Sequence, residues 1–77
     1  MTKYRDEQLL KDFGANLKRI RKSKGFSQEK LAHNTNLGVT QIARIERGEV
    51  NTTISTAYLI SKVLEIPFPE LFQIDSN

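Results

Sequence analysis

The stretch from Phe26 to Gly48, FSQEKLAHNTNLGVTQIARIERG, decides how this chain is read. It divides into two short helical segments around Asn34-Thr35-Asn36, which is turn composition. Ser27 is placed to cap the first segment, its hydroxyl accepting from an amide of the opening turn. Phe26 before that cap and Leu31 within the helix have the spacing of a hydrophobic staple, whereas Lys30 stands where a capping box would carry Glu or Gln. Leu31 and Ala32 form the inward face. The second segment repeats the pattern with Leu37, Gly38 as a permissive cap, Gln41 at the third helical position and Ile42 at the staple position. Gly48 is expected to end it as a left-handed cap.

The second helix divides its faces in a way that a core alone does not require. At about 100° per residue, Ile42 and Ile45 share one side with Glu46 on its edge, and Thr40, Ala43, Arg44 and Arg47 fall roughly opposite. Val39 and Gln41 flank the N-terminal turn. These side chains match the chemistry of base edges in a major groove: Arg donates twice to guanine, Gln pairs with adenine, and Thr or Val methyls meet the thymine methyl. A single helix with such a face is ordinarily just solvated. A second helix packed before it at a tight turn is what turns the face into a candidate reading surface.

The blocks Ser27-Gln28-Glu29-x-Leu31-Ala32 and, ten residues on, Ile42-Ala43-Arg44-Ile45-Glu46-Arg47-Gly48 resemble the helix-turn-helix of the phage repressor and Cro family, the xenobiotic-response-element regulators of bacteria. The likeness runs over residues 10–72. It implies an all-α fold, a five-helix repressor-like DNA-binding domain with its helix-turn-helix at residues 27–48. It also implies that Gln28 touches phosphate and that bases are contacted through Val39, Thr40, Gln41 and Arg44. The chain departs from the family in two places. Asn36 takes the position of the turn glycine, and Gly38 replaces the usual capping Ser, which removes one phosphate contact.

Seventy-seven residues fit one small domain, residues 1–77, whose core supplies only a few kcal/mol of net stability, on the order of 3–5. A chain without Cys has no disulfides, thiolate zinc sites or cysteine chemistry, and its single His does not assemble a metal site alone. No apolar run approaches the ~20 residues of a membrane span. Met1–Arg5 is followed by Asp6-Glu7 rather than by the apolar stretch of a signal peptide, so a cytoplasmic protein is expected. Charge is distributed unevenly. Up to Gly48 eleven basic residues face five acidic ones, a net of +6; from Glu49 onward Lys62 opposes four acids, a net of −3. A basic half that contains the helix-turn-helix fits a polyanionic partner.

The first helix is expected from Asp6 to Lys24, with Leu10, Phe13, Leu17 and Ile20 as its buried stripe and Gly25 as its stop. Gly14 in mid-helix costs roughly 1 kcal/mol against Ala and so marks a close approach of another helix. The basic end of this helix suits its dipole, and beside a helix-turn-helix it also suits a phosphate backbone, with Lys18 a candidate contact. Arg21 lies on the edge of the buried stripe and Glu46 on the core edge of the reading helix. A partly buried carboxylate needs a partner, and Arg offers a planar, two-pronged one. The resemblance implies the same pair, so Arg21 and Glu46 are assigned to structure.

After Gly48 the loop Glu49-Val50-Asn51-Thr52-Thr53 has Thr52 where the family has Pro and an acid at Glu49. Asn51 is its candidate phosphate contact, together with Arg47 at the end of the reading helix. Thr53 caps a fourth helix, Ile54 to Glu65, with Ala57, Ile60, Ser61 and Leu64 inward. Pro67 and Pro69 break and restart the chain into a short helix at residues 70–74, followed by a polar tail at 75–77. Tyr58, Leu59 and Val63 lie beyond the inward face of the fourth helix, and Phe68, Leu71, Phe72 and Ile74 crowd a segment too short to bury them all. A homodimer built from this third is therefore expected, with Leu59, Phe72 and Ile74 as the shared surface.

The remaining reactive-looking residues have plainer explanations. His33 sits on the polar side of the second helix without Cys, His or acid neighbours in a ligand motif. Asp6, Glu7 and Asp12 are helix-start charges, and Ser27 is a cap with no base at triad spacing. No enzyme, cofactor or small-molecule ligand is expected. The expected function is a sequence-specific, double-stranded-DNA-binding transcriptional regulator reading a pseudo-palindromic operator through the major groove, similar in size to restriction–modification controllers. The alternative is an antitoxin-type module whose main partner is a toxin protein and which also binds its own operator.

Overall fold

The computed structural model describes residues 4–74; the chain start at 1–3 and the polar tail at 75–77 lie outside them. Four α-helices follow in order, α1 (Glu7–Ser23), α2 (Gln28–Thr35), α3 (Val39–Glu46) and α4 (Ile54–Leu64), and a 3-10 helix (Phe68–Phe72) closes the chain. There is no strand among the described residues. The all-α expectation holds, with its fifth element wound more tightly than an α-helix.

Three of the helices open on side-chain caps. Asp6 accepts from the amide of Leu9 at 3.0 Å, Ser27 from that of Lys30 at 3.0 Å, and Thr53 from that of Thr56 at 3.1 Å. Gly38 has no side chain to offer α3. All four helices end in one motif: a residue at positive φ, then a residue whose N–H reaches back to a carbonyl five positions earlier. The pairs are Phe26 to Arg21, Leu37 to Ala32, Glu49 to Arg44 and Ile66 to Ser61, at 2.9–3.1 Å. Gly25, Asn36, Gly48 and Glu65 supply the left-handed turns. Phe26, Leu37 and Ile66 then fold back onto the core, which offsets the cost of holding Asn36 and Glu65 at φ 60 and 58.

The core is one cluster to which every helix contributes. Leu17, Leu31, Ile42, Ile60 and Leu71 are fully buried at its centre, one from each element. Gly14 is the contact point of α1 with α3: a Cβ built there would lie 2.4 Å from the carbonyl oxygen of Ile45. Any side chain would push the two helices apart.

The chain's last element differs from the expectation. It starts at Phe68 rather than at residue 70 and stops at Phe72. Its tether is Asn16, a buried polar residue on α1 whose amide donates to the carbonyls of Glu70 and Leu71 at 3.0 and 2.9 Å. These bonds dock the end of the segment on α1, and the Glu70 carbonyl also accepts from the N–H of Gln73 at 3.3 Å.

Candidate nucleic-acid interface

Helix α3 is gripped from behind. Ile42 and Ile45 are buried, and the Glu46 carboxylate accepts from Arg21 Nε at 2.6 Å and Nη2 at 3.1 Å. Arg21 also donates through Nη1 to the carbonyl of Phe26 at 2.8 Å, and Gln28 Nε2 donates to Glu46 at 3.0 Å. One carboxylate thus collects donors from α1 and α2, and its partners fix the rotation of α3 about its own axis. The structure brings Arg21 and Glu46 together as a bidentate pair with almost no solvent access.

That rotation leaves Val39, Thr40, Gln41, Arg44 and Arg47 exposed, with Ala43 half-buried among them. Thr40, Gln41 and Arg44 line a groove of about 520 Å³ whose other lining comes from Asn51 and Thr53 in the loop before α4 and from Thr56 in its first turn. Three of the four candidate base contacts and the loop's candidate phosphate contact therefore share one concave surface. Val39, 41% exposed, stands at the N-terminal turn outside that groove.

The other candidate phosphate contacts are placed differently. Lys18 is exposed on α1, one turn beyond Gly14. Gln28 is half-buried and gives one N–H to Glu46, which leaves the amide's second N–H for an outside acceptor. Arg47 is exposed but occupied: its Nε and Nη2 donate to the Glu49 carboxylate at 2.7 and 3.1 Å. Arg44 Nε stands 3.7 Å from the same carboxylate. The hydrogen bonds from Arg47 hold the Glu49 carboxyl below the usual carboxylate range, with the charges of Arg47 and Arg44 adding to the effect. Glu49 in turn pushes the Arg47 guanidinium up.

Glu49 and Asn16 are among the polar residues whose roles the sequence reading missed. Asn16 carried a signal, a polar side chain at the edge of the Phe13–Leu17–Ile20 stripe. Glu49 carried one too: a glycine cap at Gly48 places the next residue beside the residue that opens the last helical turn, here Arg44.

The C-terminal third presents its apolar side chains on two surfaces. Phe72, 45% exposed, packs on Phe13 and Phe68 and lines a small apolar cleft with Leu9, Ile54 and Ala57. Ile54 and Tyr58 are 76% and 51% exposed and Leu59 is 36% exposed. Ile74 lies elsewhere, half-buried in a polar groove with Asp12, Asn16 and Arg19. No helix among the described residues is long and apolar enough to cross a membrane.

With this geometry in hand, comparison with known proteins is direct. The helix-turn-helix family profile matches residues 17–71. The chain is 32% identical over 62 residues to the HTH-type transcriptional regulator SutR of Escherichia coli (strain K12), covering 80% of this chain but only 35% of SutR. It is 38% identical over 56 residues to control protein C.SmaI of Serratia marcescens, covering 73% of this chain and 67% of that protein. The crystal structure of the restriction-modification controller protein C.AhdI from Aeromonas hydrophila superposes with a TM-score of 0.80 at 35% identity, over 82% of this chain and 96% of that one. The chain belongs to the helix-turn-helix family of DNA-binding transcriptional regulators, a non-enzymatic family, and closely resembles its restriction–modification controllers.

Proposed function

We propose that this protein acts in the cytoplasm as a two-fold dimer, its whole chain one DNA-binding domain, and reads a pseudo-palindromic operator by placing α3 in the major groove. Val39, Thr40, Gln41 and Arg44 meet base edges; Gln28, Lys18, Arg47 and Asn51 meet the phosphate backbone. The observation that carries this reading is the exposure of Thr40, Gln41 and Arg44 along one groove with Asn51, on a helix whose rotation is fixed by the buried Arg21–Glu46 pair. Residue types there match base readout, and phosphate contacts around them would set register.

One α3 reads only a few base pairs, too few to find a site among many nonspecific competitors. Two copies with their reading helices about 34 Å apart would address successive major grooves on one face of the duplex. The exposed apolar residues Ile54, Tyr58, Leu59 and Phe72 supply a surface for that pairing, whereas Ile74, expected to share it, faces the separate groove with Asp12, Asn16 and Arg19. Selection of bound sequences from a random duplex pool tests the reading. An inverted repeat with half-sites about 10 bp apart is the expected product. Recovery of the pool without enrichment would contradict it.

A further inference from the structure

At the end of α3 the chain breaks a pattern that its other helices keep. Each helix ends in the same left-handed motif, and the residue after the turn is Phe26, Leu37 or Ile66 in the other three, each packed on the core. In α3 that residue is Glu49, exposed and charged. This motif ordinarily brings an apolar side chain against the residue opening the last helical turn. Here it brings a carboxylate against Arg44 instead, with Arg47 closing on it from the next turn.

The placement of Glu49 is held from several sides. Its N–H donates to the Arg44 carbonyl at 2.9 Å, and its own carbonyl accepts from Arg5 Nη2 at 2.9 Å. The preceding Gly48 is pressed on α1 so closely that a Cβ would lie 2.7 Å from Lys11 Cα. The carboxylate engages Arg44 from its Nε edge, and the Nη groups of Arg44 make no hydrogen bond among the described residues. That leaves the forked end free, the end that donates in pair to guanine O6 and N7.

We infer that Glu49 is a positioning and specificity-determining residue of the reading surface: it holds Arg44 for a base edge and off phosphate, and it weakens the phosphate contact of Arg47. The inference rests on the DNA-reading role proposed above. Nonspecific affinity comes from cations that neutralise phosphates and release counterions. An arginine already facing a fixed carboxylate gains less from a phosphate, because the phosphate meets the carboxylate as well. The guanine edge carries no net charge and escapes that repulsion. Since the pair is exposed, the effect is modest in size.

The test is Glu49→Gln, which keeps shape and removes charge, compared with wild type on two duplexes over a range of salt. One duplex is of random sequence; the other is the sequence wild type enriches from a random pool. On the random duplex E49Q is expected to bind roughly two- to fivefold tighter. Its log–log salt slope should steepen by about one unit, as one more phosphate is neutralised. On the enriched duplex it should gain less or lose, so the ratio of specific to nonspecific affinity narrows. A folded E49Q with wild-type affinity and slope on random duplex, or with equal tightening on both, overturns the inference while leaving the DNA-reading role standing. If wild type enriches no sequence at all, the DNA-reading role itself fails and the inference with it.

Discussion

The guanidinium of Arg21 and the carboxylate of Glu46 meet edge to edge, 2.6 Å from Nε to Oε2 and 3.1 Å from Nη2 to Oε1, where neither side chain is open to water. About 200° around α3 from Glu46 lies Arg44 on the outer face. A single rigid helix therefore carries a structural arginine–carboxylate pair on its back and, on its front, the exposed arginine proposed to read a base. The first fixes where the second points.

Truncating one partner of this pair leaves a buried charge uncompensated. Arg21→Ala or Glu46→Ala is expected to destabilise the fold by roughly 3–5 kcal/mol. A double-mutant cycle on chemical unfolding should give a large coupling; coupling within about 0.3 kcal/mol of zero would show that the two residues contribute independently.

Gly14→Ala pits helix propensity against packing. Alanine is favoured by about 1 kcal/mol in an exposed helix interior. Here its Cβ would meet the Ile45 and Glu46 carbonyls at 2.4 and 2.5 Å, both backbone atoms that no rotamer can move. Net destabilisation of about 1–3 kcal/mol is expected. A variant more stable than wild type would mean that α1 and α3 separate at little cost.

The hydroxyl of Thr52 is buried and finds no hydrogen-bond partner among the described residues. Thr52→Val keeps the shape and removes the unsatisfied group, and should raise stability by about 1 kcal/mol. Thermal unfolding decides it: a lower midpoint would indicate that the hydroxyl is satisfied by water in solution.

These stability predictions show where the sequence was legible. The apolar stripes of α1 and α4 read directly from spacing, since Leu10, Phe13, Leu17, Ile20, Ala57, Ile60 and Leu64 are buried as periodicity requires. Gly14 was legible as a local cost without a local reason, and the reason is the α3 backbone against it. The 3-10 helix was not, because its docking rests on Asn16, more than fifty positions earlier in the chain. Glu65 at positive φ was equally hidden, since what holds it is the packing of Ile66 rather than its own propensity. On α3 the periodicity placed Thr40, Gln41, Arg44 and Arg47 on the exposed face where the structure has them. The pairing of Glu49 with Arg47 was not read, although the left-handed cap expected at Gly48 already placed the acid beside the end of α3.

Dimer formation is tested at Phe72, whose ring closes the apolar cleft beside Ile54. Sedimentation at micromolar concentration should show a dimer for wild type and a monomer for Phe72→Asp. Because Phe72 also packs on Phe13, Ile54→Asp at a 76% exposed site serves as the companion variant that leaves the core alone. A wild-type monomer that binds an inverted repeat at full affinity would remove the need for the interface.

The central claim, that α3 reads sequence through its outer face, is tested most directly by base preferences selected from one random duplex pool with wild type and with Arg44→Ala. The account predicts an inverted repeat for wild type. For the variant it predicts loss of preference at one symmetric pair of positions, with binding weaker by ~1–3 kcal/mol. Identical preferences for the two proteins would contradict it.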